Sequence, residues 1–145
     1  MRVSYSPGYV VELPPGHPFP MPKFALLHDI LLDEGLIRPA DVVAPTEVPL
    51  DDLALFHTES FIRKFATSSF DAAEVRRLGL PWTSPLIRRS RLAVTGTINA
   101  CRFALEDGIG ANLAGGTHHA CPDHGEGFCV LNDVAIAVRV LRREG

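Results

Sequence analysis

The segment Gly115-Gly116-Thr117-His118-His119-Ala120-Cys121-Pro122-Asp123-His124-Gly125-Glu126-Gly127-Phe128-Cys129 gathers most of the side chains able to do chemistry. It holds three of the chain's six histidines and two of its three cysteines. Four accounts of it are open. It could hold a metal through His118, His119, Cys121, His124 and Cys129, all zinc-ligand types, although the spacing fits no usual zinc-finger pattern. It could be a thiol hydrolase with Cys129 as nucleophile and a histidine as base, against which Phe128 is an apolar neighbour rather than a thiolate-stabilising one. The imidazoles could be ordinary hydrogen-bonded turn residues. Finally, the adjacent His118 and His119 could be an acid–base pair serving a metal held elsewhere, because neighbouring imidazoles resist both carrying a proton. The four glycines suit a backbone that turns sharply and lets a substrate come close.

The elements around this loop must position it. Residues 109 to 114 read as a short buried strand running into Gly115-Gly116, and open α/β sheets carry ligands beyond the C-terminal ends of their strands. Asn132-Asp133 is placed to start a last helix through Arg143. Val134, Ile136, Val138 and Val140 alternate as in a strand, but Leu141 breaks the alternation and Arg142-Arg143 suit a helix C-terminus. Upstream, Ser84-Pro85 pairs a cap with a proline and opens a long helix that should stop by Gly108. One of its faces carries Val94, Ile98, Cys101 and Leu105. Another, thinner face of Ala93, Gly96, Ala100 and Ala104 allows close approach of a backbone. Asp51, Thr58 and Asp71 with Glu74 are candidate caps of short helices between residues 51 and 79. Arg2 to Tyr5 and Val42-Val43 read as strands. Between them, five prolines from Pro14 to Pro22 make a loop that opens into a helix ending at Gly35, with Phe24, Leu26, Leu27, Ile30 and Leu31 at helical spacing. Strand alternating with helix predicts a parallel α/β sheet.

With 145 residues, 46% of them hydrophobic, the chain has the size of one domain able to bury roughly two-thirds of its unfolded surface. A net charge of -3 without a basic stripe argues against direct nucleic-acid binding. No apolar run has the length of a membrane span, and no signal-peptide pattern opens the chain. Three cysteines do not make a disulfide framework, so a cytoplasmic, reducing setting is expected. Arg88, Arg89 and Arg91 are expected to form a solvated helix face. His28 is expected at the surface or its boundary, and His57 in a hydrogen-bonded structural role. His17 lies in the proline loop and is given no part in a reaction.

The order Gly-Gly-Thr-His-His-Ala, then Gly-Glu-Gly-Phe-Cys, then Val-Leu-Asn-Asp-Val-Ala-Ile-Ala resembles the histone deacetylase superfamily. The resemblance extends to His17-Pro18-Phe19-Pro20-Met21-Pro22-Lys23 and Leu80-Pro81-Trp82, in the manner of compact bacterial or class IV-type members. It implies an open parallel-sheet α/β sandwich of the arginase/deacetylase type. The implied reaction is zinc-dependent hydrolysis of N-acyl amines, of the acetyl-lysine or acetylpolyamine kind. In the resemblance His118 stabilises charge, and His119 is general base and then general acid. Gly127 and Phe128 wall the acyl channel, with Cys129 a small buried residue beneath. Cys121 and His124 match no family role and are expected to be surface loop residues. The family's metal ligands include an Asp-x-Asp-x-His stretch that this chain does not contain, and Asp123 and Asp133 belong to other motifs. Residues 1–145 are therefore expected to be the N-terminal part of a single deacetylase-like domain, without its zinc ligands and inactive alone. The missing part of the sheet would come from further chain or from a partner. Two alternatives are a non-enzymatic half-domain acting as a binding module and a self-contained metal site in the His118–Cys129 loop.

Overall fold

The computed structural model describes every residue from Met1 to Gly145. Its three short strands are β1 (Arg2–Ser4), β2 (Val42–Val43) and β3 (Gly110–Asn112). They pair in the order β2-β1-β3, both pairs parallel, with Val3 opposite Val42 and Ala111. The parallel α/β sheet expected from the alternation is thus present, with β2 and β3 at its two edges. The helices are α1 (Lys23–Asp33), α2 (Leu50–Leu53), α3 (Glu59–Ala66), α4 (Ala72–Leu78), α5 (Ser84–Asp107) and α6 (Asp133–Glu144). None is long and apolar enough to cross a membrane.

The longest helix, α5, lies against β1, β3 and α6 and forms the back wall of the core. Its thin face is what allows this. A Cβ on Gly110 of β3 would lie 2.2 Å from the Ala100 carbonyl oxygen, and one on Gly96 would lie 2.2 Å from the Tyr9 hydroxyl. The other face, through Val94 and Ile98, is buried, but Cys101 is half-buried and Leu105 is 77% exposed. The apolar stripe of α5 therefore runs past the end of its packing partners. On α6, Ile136, Ala137 and Val140 are buried while Val134 and Val138 face outward. That spacing is helical and resolves the strand-like alternation.

Three further positions differ from the sequence reading. Thr83, not Ser84, caps α5, its hydroxyl accepting from the Leu86 amide at 3.3 Å. Asp51 lies within the first turn of α2, whose flanking residue is Pro49. Arg89 is 3% exposed rather than solvated. It falls three residues after Leu86 and four before Ala93, so helical geometry turns it into the core with them. There its Nε donates to the Tyr9 carbonyl at 2.8 Å and its guanidinium stacks 4.7 Å from the centre of the Phe24 ring. Burial pushes its pKa down to about 10. Arg88 and Arg91 do reach the surface, where both pair with Glu47. On α1 only Phe24 is fully buried. Leu26, Leu27 and Ile30 are exposed, because no other element covers that side of the helix.

Candidate active site

The loop carrying the two histidines leaves β3 through the buried Leu113 and Ala114. Its first turn is fixed from behind by Asp133, the first residue of α6, which is 0% exposed. Asp133 Oδ2 accepts from the Gly116 amide at 2.9 Å, and Oδ1 accepts from the Thr117 amide at 2.7 Å. The Thr117 hydroxyl lies 2.6 Å from both Asp133 Oδ1 and the Leu131 carbonyl. The Thr97 hydroxyl of α5 donates to Asp133 Oδ2 and accepts from Asn112 Nδ2 at 3.0 Å. Asn112 Oδ1 in turn accepts from the Tyr9 hydroxyl at 2.9 Å. A buried carboxylate is costly unless every lone pair finds a donor, and here backbone and hydroxyl donors supply them.

Asn132 does two jobs. Its side-chain oxygen caps α6 by accepting from the Ala135 amide at 3.0 Å, while its Nδ2 donates to the Ala120 carbonyl at 2.8 Å. The loop's next stretch is held by His57, which is buried as a hydrogen-bonded structural residue. A carbonyl only accepts, so His57 Nδ1 carries the proton and donates to Pro122 O at 3.2 Å; Nε2 accepts from the Asn132 amide at 3.1 Å. Burial drives the His57 pKa down to about 4, which suits a neutral ring used on both sides.

Between these anchors His118 and His119 project from the surface of the loop, both exposed, with ring centres 4.3 Å apart. His118 Nδ1 donates to the Gly116 carbonyl at 2.9 Å, which leaves its Nε2 free. His119 makes no side-chain hydrogen bond within the chain, and Gly127 lies against its ring. A Cβ on Gly127 would stand 3.3 Å from the ring's Cγ. Gly127 and Phe128 both have positive φ, 57° and 66°. The non-glycine Phe128 is held in that conformation by the hydrogen bond its backbone N–H donates to Leu78 O at 2.8 Å. Its ring meets Phe19 at 5.3 Å and His17 at 6.0 Å between centres. His17 orders the proline loop beside it, with Nε2 donating to Gly79 O at 2.9 Å and Nδ1 accepting from the Phe19 amide at 3.1 Å. Of the four residues singled out in sequence, His118, His119 and Gly127 lie one against the next, while the Phe128 ring packs on Phe19, His17 and Gly79. Cys129 is buried behind them with its thiol pKa raised by burial, an environment opposite to that of a reactive thiolate.

Sequence reasoning did not find Arg89, Thr97 or the clamping role of Asp133. Arg89 was signalled by its register with Leu86 and Ala93. The Thr97–Asp133 contact had no signal, since it joins positions 36 residues apart. Cys121 and His124 are half-buried rather than free on the surface, and they lie beside Glu126.

The chain is a parallel α/β domain that presents two imidazoles just beyond the C-terminal end of a strand, where open α/β sheets carry their ligands. The histone deacetylase domain matches residues 17–145, and the chain belongs to that family. It is 44% identical over 143 residues to an uncharacterized protein of Picosynechococcus sp., covering 99% of this chain and 48% of that protein. It is 29% identical over 151 residues to the acetoin utilization protein AcuC of Bacillus subtilis, covering 97% of this chain and 39% of the relative. The crystal structure of a histone deacetylase homologue from Aquifex aeolicus shares the fold, with a TM-score of 0.76 and 23% identity over 99% of this chain and 41% of that one. The chain thus spans less than half the length of these relatives.

Family resemblance implies a catalytic zinc, and the donor atoms here can be tested against it. Asp133 is fully engaged with the loop, and no second carboxylate or imidazole joins His118 and His119 in a group able to share an ion. The single cluster of three donor side chains is Cys121, His124 and Glu126, which excludes the histidine pair. The residues of this chain do not by themselves form the zinc centre implied by the family.

Proposed function

We propose that residues 1–145 form the N-terminal part of one deacetylase-like domain and carry the proton-handling half of an amidohydrolase site. The substrate class is an N-acyl amine of the acetyl-lysine or acetylpolyamine type. In the reaction, water adds to the acyl carbon and the carbon–nitrogen bond breaks, giving a carboxylate and a free amine. His119 accepts the proton of the attacking water and returns it to the departing nitrogen. His118, with Nδ1 already committed to Gly116 O, presents Nε2 to the charge that develops on the acyl oxygen. The Gly127 carbonyl is available to the substrate amide, and the Phe128 ring lines the acyl channel. Zinc, if it serves this site, takes its ligands from outside these residues.

The observation that carries the reading is the asymmetry of the pair. One ring is oriented by a backbone carbonyl, and the other has no side-chain partner and lies against a glycine. Support for an incomplete sheet comes from the open edge of β3 and from the exposed apolar residues Val134, Val138 and Ile109.

The test uses the chain alone and the chain fused to the C-terminal remainder of its 44%-identical relative. Expected are release of acetate from an acetyl-lysine peptide or acetylpolyamine by the fusion and none by the chain alone. His119→Ala should lower the fusion's kcat by about 10²–10⁴-fold. Turnover by the 145-residue chain alone overturns the incomplete-domain reading. Full activity of the fused His119→Ala variant overturns the acid–base assignment.

A further inference from the structure

Just beyond the histidine pair, the loop contains a second group of side chains that the proposed hydrolysis does not use. Ligand atoms of Cys121, His124 and Glu126 all lie within 4.8 Å of one another. We propose that Cys121 Sγ, His124 Nε2 and a Glu126 carboxylate oxygen form a mononuclear site for a zinc-class divalent cation, completed by a solvent molecule.

The tautomer of His124 is the first argument. Its Nδ1 lies 2.7 Å from Asp123 Oδ1, and a carboxylate can only accept, so the proton is on Nδ1. A histidine oriented in this way by a carboxylate offers its other nitrogen to a metal. Nε2 faces Glu126 Oε2 at 3.5 Å. In the Nδ1–H tautomer both facing atoms are acceptors, so the space between them suits a cation or a bridging donor. The nearby Cys121 sulfur favours the metal: a thiolate, an imidazole and a carboxylate are a donor set for zinc.

The backbone supports the group before any ion binds. The Cys121 amide donates to His124 O at 2.9 Å and closes the turn between the two ligands. Glu126 and Cys129 exchange backbone hydrogen bonds at 3.0 and 2.9 Å, which fixes the main chain from which the carboxylate projects. Pro122 O accepts from the Thr58 amide at 2.9 Å and from His57 Nδ1, tying the turn to the start of α3. Tetrahedral zinc with bonds of about 2.0–2.3 Å sets its ligand atoms roughly 3.3–3.8 Å apart. The His124–Glu126 pair already has that separation, and the Cys121 sulfur lies within 4.8 Å of the other two ligand groups. A bound ion would join the residue two places after His119 to the residue just before Gly127, bracing both arms of the loop.

The probes are zinc and cobalt(II), titrated into the reduced 145-residue chain with its fold followed by far-ultraviolet circular dichroism. Expected is one metal equivalent per chain, with a thiolate-to-cobalt charge-transfer band in the near ultraviolet. Cys121→Ser should abolish the band. His124→Ala should weaken binding by more than the roughly 10–100-fold that loss of an orienting partner costs, and Asp123→Asn by an amount within that range. Cys129→Ala and Cys101→Ser should keep the band, and His118→Ala should keep the affinity. Absence of stoichiometric binding overturns the proposal, as does a band that survives Cys121→Ser. Binding that follows His118 instead of His124 does so as well. The proposal stands apart from the hydrolytic reading: metal bound without turnover, and lost in Cys121→Ser, leaves that reading intact.

Discussion

Replacing Asp133 by asparagine keeps the shape of the side chain and changes only what its second oxygen can do. In the native chain the two oxygens of this fully buried carboxylate accept from the Gly116 and Thr117 amides and from the Thr97 and Thr117 hydroxyls. Asparagine offers one acceptor and one amine. With the oxygen toward Thr117, the amine meets the Gly116 N–H; flipped, it meets the Thr117 N–H. The Thr97 hydroxyl can rotate and accept from the amine, but a backbone N–H cannot, so either orientation leaves one buried donor facing another. Losing a charge-assisted bond costs about 1.5–3 kcal/mol, and an orphaned buried amide adds about 1–3 kcal/mol. Removing a buried charge offsets part of that. The expected net loss is about 3 kcal/mol, which for a domain of this size lowers Tm by roughly 10 °C. Urea and thermal unfolding of Asp133→Asn against the parent chain measure it, with amide exchange at Gly116 and Thr117 as a local readout. A loss under about 0.5 kcal/mol, the level of an ordinary surface substitution, would refute the claim that this carboxylate clamps the loop.

Other outcomes follow from single residues. His57 is neutral in the fold with a pKa of about 4, against an ordinary value of 6.5 in the unfolded chain. The unfolded state therefore binds the extra proton first, and the stabilisation is complete above pH 6.5 and lost as pH falls toward 4, by about 3 kcal/mol. A His57→Phe variant should lack that slope, and an unchanged pH profile in the variant counts against the assignment. Gly96→Ala puts a methyl 2.2 Å from Tyr9 Oη and 2.6 Å from Asn112 Oδ1, breaking their mutual bond. Overpacking of this kind costs about 1–3 kcal/mol, so a neutral Gly96→Ala in a urea melt would contradict this close approach of α5 to the Tyr9–Asn112 pair.

Local chemistry was readable where one residue type answers one backbone need. Gly35, Gly79 and Gly108 follow their helices with φ of 67°, 77° and 83°, and the Asp71–Glu74 spacing forms the expected reciprocal cap. The thin face of α5 was readable because closeness of backbones leaves only small residues as solutions. Pairs between distant elements were not readable: Thr97 with Asp133, or His57 with Asn132, look like unremarkable helix and turn residues until the fold superimposes them. Arg89 is misleading through its charge, although its helical register with Leu86 and Ala93 already places it inside. The exposed leucines of α1 show the opposite error, since amphipathic spacing says which residues share a face and not whether anything covers it.

The arrangement separates what is exposed from what is fixed. Both histidine rings are open to solvent, yet the backbone on either side of them is gripped by the buried Asp133 and His57 and the half-buried Asn132: Thr117 by Asp133, Ala120 by Asn132, Pro122 by His57. Asp133 and Asn132 are also the first residue and the cap of α6, so the same two side chains start the helix and hold the loop. A carboxylate there complements the positive end of the helix while occupying loop amides that would otherwise need water. Loop and helix start are then one cooperative unit, and their perturbations should not add. Thr97→Val alone removes one hydroxyl donor and should cost about 1 kcal/mol. Combined with Asp133→Asn, the same Thr97→Val change takes away the hydroxyl that could have accepted from the new amine. The double variant should then exceed the sum of the singles by about 0.5 kcal/mol or more, the range found for residues in one hydrogen-bonded network. Strict additivity would mean that Thr97 and Asp133 merely sit side by side, and that the loop takes its position from elsewhere.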